Sequence, residues 1–313
     1  MARVVFLGTP EYAVPVLEAL LAQHQVVAVV TQPERVAGRG RCQVYPPAVK
    51  ALALAHGVPL ILQPERLRRD RQTIAALRQA QADVFVLAAY GQILSPEVLN
   101  IAPHGCIGVH ASLLPRWRGA APITRAILHG DQETGITLMH TDAGMDTGAI
   151  IAQRHLTIAP NDTTGTLTDK LARLGADLTL ETLPAWLAGT LQTQPQDEAD
   201  VTYAACVSPE EGALDWTHSA HALDCQVRAM TPWPGAYTEF QGTRLKVLRA
   251  HPLPDWRGSQ PPGTVISTQA GVGVATGAGL LALDIIQLAG KKALDAQQFC
   301  RGQRAFAECT LGS

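Results

Sequence analysis

The feature that most constrains this chain is a succession of short, β-branched, almost uninterrupted apolar runs separated by stretches of helical period. "RVVFLG" (3–8), "VVAVVT" (26–31), "VPLIL" (58–62), "DVFVLAAY" (83–90) and "GCIGVH" (105–110) recur in this way through the first third. A strand with one wet face alternates apolar and polar residues, whereas a strand covered on both faces is apolar throughout. Helical stretches lie between the runs near 13–21, 48–56 and 70–79, with a short one at "SPEVLN". The alternation predicts an α/β fold: a Rossmann-like, mostly parallel sheet with helices on both faces. It continues with a helix at "AAPITRAILHG", a strand at "GITLMHTD" (135–142), a hairpin-like "GAIIAQRHLTI" and a long helix from about 163 to 187.

The texture changes near residue 190. "LQTQPQDEADVTYAA" is polar and irregular, and reads as a linker. After one helix near 218–230, strand-length runs are split by turns: "AYTEF", "TRLKVLRAH", "GTVIST", "GVGVAT" and "LLALDIIQLA". Evenly spaced short strands predict a small, OB-like β-barrel. The expected division is a first domain over 1–190, a linker over 191–206 and a C-terminal barrel over 207–313. A hydrophobic fraction of 47% over 313 residues is ample for two cores. No apolar run reaches the roughly 18 residues of a membrane span, and the N-terminus enters a strand directly. A cytoplasmic protein without a membrane partner is expected. The six cysteines show no CxxC pair and no metal-ligand spacing, so they read as reduced thiols. A net charge of −2 excludes a globally basic coat for nucleic acid but leaves room for a local basic patch.

Three places carry candidate chemistry. The first strand ends in Gly8-Thr9-Pro10, where a dinucleotide fingerprint requires G-x-G-x-x-G; with one of its glycines present, this reads as a tight strand-to-helix turn. His110 closes the run 105–110, at the carboxyl end of a central strand, where open α/β sheets bind ligands. Asp146, in "DAGMDTG" (142–148), follows the next strand. If that strand is a parallel neighbour, both residues reach the same sheet edge. There a carboxylate would orient the imidazole and relay a proton. Taken alone, His110 reads equally as a capped loop histidine and Asp146 as the former of a glycine-rich turn. Cys106 shares a strand face with His110 but reads as a small core residue, not a nucleophile. The third place is "QPERVAGRGRCQVYPP" (32–47), a long glycine-rich loop with Arg35, Arg39 and Arg41, suited to gripping phosphates.

With these residues in view, the chain resembles the methionyl-tRNA formyltransferases, within the wider family of 10-formyltetrahydrofolate-dependent formyltransferases. The resemblance runs nearly end to end. It is carried by "FLGTPEYAVPVLEAL", "TQPERVAGRG", "AAYGQIL", "VHASLLPRWRGAAPI", "TGITLMHTDAGMDTGAII", "GALDW", "VRAMTPWPGAY", "PGTV" and "LAGKKALDAQQF". The family has an Asn-x-His strand end, a Leu-Pro loop and an Asp 36 positions after the His, the spacing of His110 and Asp146 here.

The resemblance implies transfer of formyl from 10-formyltetrahydrofolate to the α-amino group of methionine on initiator tRNA, for translation initiation, without a metal. It gives His110 the role of donor to the oxyanion and Asp146 that of its partner in moving protons. It places folate at Ser112, Leu113, Leu114 and Pro115, with Leu114–Pro115 a candidate cis peptide. Leu87, Tyr90, Gly91 and the backbone from Asp142 to Met145 would frame the pterin. The loop with Arg35, Arg39 and Arg41 would enter the acceptor stem, and the barrel would hold the outer tRNA surface. A monomer with no DNA partner is implied. Two departures stand out. Gly108 occupies the family's catalytic Asn position, where a side chain is expected to point into the ligand cleft. Tyr203-Ala204-Ala205-Cys206 stands where the family has Tyr-Ala-Pro-Lys. Gly108 keeps two alternatives open: a related formyl-folate enzyme acting on water or an amino sugar, and a catalytically impaired folate- or tRNA-binding protein.

Overall fold

The structure, a computed structural model, describes residues 1–37, 43–253, 255–268, 271–307 and 309–312, with the backbone alone for 35–37, 43 and 44. In chain order the elements begin β1 (Arg3–Gly8), α1 (Val14–Gln23), β2 (Gln25–Val30), β3 (Arg35–Ala37), β4 (Gln43–Tyr45) and α2 (Ala48–Ala55). Next come β5 (Ile61–Leu62), α3 (Arg71–Gln79), β6 (Val84–Ala88), α4 (Pro96–Leu99), β7 (Cys106–His110), β8 (Arg118–Gly119) and α5 (Pro122–Leu128). The middle of the chain carries β9 (Glu133–His140), β10 (Ile150–Thr157), α6 (Thr164–Leu187) and β11 (Tyr203–Ala204). The last part holds α7 (Ala220–Ala229), β12 (Ala236–Phe240), β13 (Thr243–Leu253), β14 (Val265–Thr268), β15 (Gly271–Ala275), β16 (Leu280–Leu288), β17 (Leu294–Asp295) and α8 (Ala296–Gly302).

These elements divide into two compact units. One comprises Met1–Pro122, Glu133–Thr157 and Thr168–Ala204; the other comprises Ile123–Gln132, Ile158–Leu167 and Ala205–Ser313. Residues 191–204, which read as linker in the sequence, belong to the first unit and include β11.

The first unit is built on a seven-stranded sheet in the order β10-β9-β7-β6-β1-β2-β5. Strands β1, β2, β5, β6 and β7 are parallel. They are buried for the reason the sequence suggests: β1 is fully buried from Val4 to Leu7, and β7 along its whole length. On one face Val5, Leu7 and Phe85 pack with Ile74 and Leu77 of α3. Each such side chain contributes about 1.5–3 kcal/mol on burial. Asp70 caps α3 by accepting the Thr73 N–H at 2.9 Å.

Three expectations are corrected. β9 is antiparallel to β7, with His110 opposite Thr137 and Ile107 opposite His140, and β10 is antiparallel to β9. An apolar run reports burial, not direction. Direction follows from the sheet end at which a connection returns, and residues 111–132 return to the end they left. The run 58–62 supplies a strand at Ile61–Leu62 alone. The basic segment 32–47 is not wholly irregular, since β3 and β4 form an antiparallel pair. Arg39 and Arg41 lie outside the described residues, and of Arg35 the backbone alone is described.

The second unit carries a barrel-like antiparallel sheet in the order β12-β13-β16-β15-β14, with β17 beside β16. Phe240, Phe299 and Phe306 meet edge to face, with centroids 5.0–6.1 Å apart. Such pairs add about 0.5–1.5 kcal/mol beyond their buried area. Among the described residues no helix is long and apolar enough to cross a membrane.

One close approach in the first unit sets how tightly β9 packs against its surroundings. A Cβ on Gly135 in β9 would collide with the Arg154 carbonyl oxygen and stand 2.6 Å from Leu113 Cδ2. Glycine here lets β10 and the 112–115 loop close on the same point of β9. Gly135→Ala is therefore expected to lower stability by about 1–3 kcal/mol, the usual range for overpacking a filled space. Urea denaturation followed by circular dichroism measures it, and an unchanged midpoint would show that the loop yields freely.

Candidate active site

β7 delivers His110 to the sheet end with the residue 8% exposed. Its Nε2 lies 2.9 Å from the Trp117 carbonyl oxygen. A carbonyl only accepts, so Nε2 carries the hydrogen. The other ring nitrogen, Nδ1, faces Asp146 Oδ2 at 3.7 Å, too far for a hydrogen bond but close enough for charge to matter. Asp146 Oδ2 in turn accepts the Gly119 N–H at 2.8 Å. A proton arriving at Nδ1 would thus meet a carboxylate already held in place.

The pairing does not arise from parallel neighbours. The Thr141 N–H bonds the Cys106 carbonyl, so the chain leaves β9 at the far end of β7. Five residues later Asp146 has reached His110. Both Asp146 (φ +55°) and Trp117 (φ +64°) adopt left-handed backbone conformations. Aspartate tolerates that region; a bulky tryptophan is held there against a cost of order 1 kcal/mol. The Arg116 guanidinium lies 4.5 Å over the Trp117 ring.

The 112–115 loop is fastened to the sheet through Thr137. The Thr137 hydroxyl donates to the Ser112 carbonyl at 2.7 Å and accepts the Leu114 N–H at 3.0 Å. Gln153 Nε2 donates to the Leu114 carbonyl at 2.8 Å, and Ser112 Oγ to the Arg116 carbonyl at 2.6 Å. The Leu114–Pro115 peptide is cis.

The remaining candidates divide. Leu87, half-buried, stands beside Gly108 in the β6–β7 register. Tyr90 is placed differently from the expectation. Its ring is buried in the core, which pushes the phenol pKa up, and its carbonyl accepts Thr9 Oγ1 at 3.2 Å and Gln32 Nε2 at 3.0 Å. What Tyr90 offers a ligand is therefore backbone, continued by Gly91 at φ +80°. Asp142 turns inward on its own loop, accepting from the Gly144 N–H at 3.0 Å and from Thr147 Oγ1 at 2.7 Å. Met145 is 57% exposed.

Gly108 is more closely packed than the sequence suggests. A Cβ there would stand 2.9 Å from Thr141 Oγ1 and 3.0 Å from Met139 Cε. The ends of the Thr141 and Met139 side chains border the space expected to open into a cleft. Cys106 behaves as the sequence suggests: it is fully buried, and burial pushes its thiol up to about 12, against a smaller downward pull from the Thr141 hydroxyl.

Sequence reasoning missed Trp117, Gly119, Arg118 and Gln196. The first two act through backbone atoms, which carry no residue identity. A cleft of about 540 Å³ in the second unit, lined by His221, Asp224, Cys225 and Arg228 among others, includes none of the candidate residues. Its charges are already satisfied, Arg228 Nε by Asp224 at 2.9 Å and Arg249 by Asp284 at 3.5 Å.

Comparison with known proteins bears on the whole chain. Residues 2–183 match the family described as formyl transferase, and residues 207–304 match the formyl transferase C-terminal domain. A methionyl-tRNA formyltransferase of Roseiflexus sp. is 48% identical over 312 residues, covering 99% of this chain and 95% of its own. One of Thiobacillus denitrificans is 49% identical over 313 residues, covering 99% and 100%. Among solved structures, HypX from Aquifex aeolicus in complex with tetrahydrofolic acid superposes with a TM-score of 0.64 at 18% identity. That likeness covers 97% of this chain and 47% of HypX, so the chain spans about half of that protein's length, and it is a likeness of fold.

The thiols give a direct test of the site's burial. Cys206 is exposed and Cys106 is buried with its thiol neutral. The fold favours the protonated Cys106, so its contribution to stability is complete below the ordinary value of 9.0 and declines as pH rises toward about 12. At about pH 8 a disulfide reagent is expected to label Cys206 in the native protein and to reach Cys106 only after denaturation. Labelling of native Cys106 at the Cys206 rate would overturn this packing.

Proposed function

The chain belongs to the formyl transferase family, and from that premise we propose that it transfers the formyl group of 10-formyltetrahydrofolate to the α-amino group of methionine on initiator tRNA. The observation that carries this reading is the near-full-length similarity to methionyl-tRNA formyltransferases, which includes the C-terminal domain over 207–304.

In this reading the amine attacks the formyl carbon as the neutral base, and an oxyanion develops on the former carbonyl oxygen. The C–N10 bond then breaks, one proton leaving the amine and one arriving at N10. With Nε2 occupied by the Trp117 carbonyl, the part of His110 that meets the reaction is Nδ1. A proton at Nδ1 would donate to the oxyanion, and the Asp146 carboxylate would stabilise the resulting imidazolium. Folate would lie against Ser112, Leu113, Leu114 and Pro115, with Leu87, the backbone of Tyr90 and Gly91, and the Asp142–Met145 loop around the pterin. The segment with Arg35, Arg39 and Arg41 would grip acceptor-stem phosphates and the C-terminal unit the outer tRNA. In domain terms, 1–190 together with residues 191–204, which pack in the same unit, is the catalytic part, and 207–313 holds tRNA. We place the protein in the cytoplasm as a monomer.

The deciding assay measures formyl transfer to charged initiator tRNA, with uncharged tRNA, an amino sugar nucleotide and water as competing acceptors. Transfer confined to the charged tRNA is expected. Formate release to water, or transfer to the sugar, would replace this reading. Within it, His110→Ala and Asp146→Ala are each expected to lower kcat by about 10²-fold or more with the fold retained. Binding of tRNA should weaken steeply with salt, and further in Arg39→Ala, since phosphate neutralisation supplies most such affinity.

Gly108 generates a sharper test. One oxyanion donor is typically worth about 10²–10³ in rate, but an Asn at 108 would strike Thr141 and Met139. Gly108→Asn is expected to raise the rate at least about tenfold when combined with Thr141→Ala, and to give less alone. Equal rates for the single and double variants would show that Thr141 is not the obstacle.

A further inference from the structure

Gln196 lies in the polar stretch between the last helix of the first unit and β11, and its carboxamide is fully used. Its Nε2 donates to the carbonyls of Asp146 and Gly148, both at 2.8 Å. Its Oε1 accepts from Arg118 Nε at 2.9 Å. Arginine only donates and carbonyls only accept, so the amide has one orientation that satisfies all three contacts. Arg118 is 1% exposed, and its two terminal nitrogens lie 3.3 and 2.8 Å from the carboxylate of Glu198.

The same stretch reaches the other half of the site. Thr202 Oγ1 accepts the Trp117 N–H at 2.9 Å, and the Thr202 carbonyl accepts the Arg118 N–H at 2.9 Å. β11 then pairs with β8, Tyr203 opposite Arg118 and Ala204 opposite Gly119. Trp117 holds His110 through its carbonyl, and Gly119 holds the Asp146 carboxylate through its N–H. Residues 196–204 therefore fix every group that orients the His110–Asp146 pair, and Gln196 fixes the left-handed Asp146 backbone itself.

We propose that Gln196 is a positioning residue: it acts through Asp146, clamping the 146–148 backbone so that the carboxylate stays between the Gly119 N–H and His110 Nδ1. This rests on the assignment of His110 and Asp146 to formyl transfer. Without the clamp, the exposed 142–145 tip is free to swing, carrying the carboxylate off Gly119. Small misplacements of a catalytic group cost on the order of 10²-fold in rate without touching substrate binding.

Two variants separate positioning from mere stability. Gln196→Met keeps length and bulk but makes none of the three hydrogen bonds. Gln196→Glu keeps an acceptor for Arg118 and turns an oxygen toward the two carbonyls. Each is expected to lower kcat at least about tenfold with both KM values within about twofold. In an Asp146→Asn background the same Gln196→Met change should cost less than about twofold, because its effect runs through the carboxylate already lost. Equal losses in both backgrounds, a loss confined to KM, or an unchanged kcat would overturn the proposal. Amide hydrogen exchange on the free protein tests the clamp without activity: protection at the Gly119 N–H should fall at least about tenfold in either variant. Unchanged protection overturns the proposal, whether or not the wild type transfers formyl. An inactive wild type with lost protection would instead sink the assigned reaction and leave the clamp standing.

Discussion

The arrangement around His110 depends on a guanidinium that has no access to water. A buried guanidinium is costly unless its donors find acceptors, so the burial of Arg118 calls for partners around it. No neighbour in sequence provides them. They come from Gln196 and Glu198, some eighty positions later. Glu198 is 75% exposed, so its attraction is screened by solvent and its contribution is small. The less exposed partner is the half-buried Gln196 amide, a neutral group whose desolvation costs far less than that of a second ion. Meeting the needs of Arg118 draws residues 196–204 onto the 117–119 segment, and the backbone groups that hold His110 and Asp146 are ordered as a consequence.

Much of this fold was legible because burial on two faces leaves a strong local mark. The runs 3–8, 26–31, 83–90 and 105–110 became β1, β2, β6 and β7 within a residue or two, and the strands after residue 236 follow their apolar runs closely. The misreadings share a different cause. The stretch "LQTQPQDEADVTYAA" has no apolar period, so it reads as a linker; its order comes from hydrogen bonds to Arg118, Trp117 and Asp146, which local sequence does not display. The direction of β9 was invisible for a similar reason, since parallel and antiparallel buried strands carry the same residues.

The candidate site was legible where side chains do the work and opaque where the backbone does. An imidazole at a strand end and a carboxylate at fixed spacing can be found in a sequence. The Trp117 carbonyl and the Gly119 N–H cannot, although they determine which ring nitrogen of His110 is available and which carboxylate oxygen faces it. Tyr90 shows the converse. Its ring invites a ligand-stacking role, yet the ring fills the core beneath β1 and β6, and the surface at that point is main chain.

Gly108 joins these threads. Were β9 parallel to β7, other side chains would flank position 108. In the antiparallel register Met139 lies opposite Gly108, and Thr141 follows two residues on, with its N–H on the Cys106 carbonyl. A pocket left empty here would cost stability in proportion to its volume. Instead the thioether of Met139, which adapts to irregular space, and the Thr141 hydroxyl close it. The glycine is thus a packed position, and the hydroxyl that covers it sits beside the neutral thiol of Cys106, not beside a solvent channel.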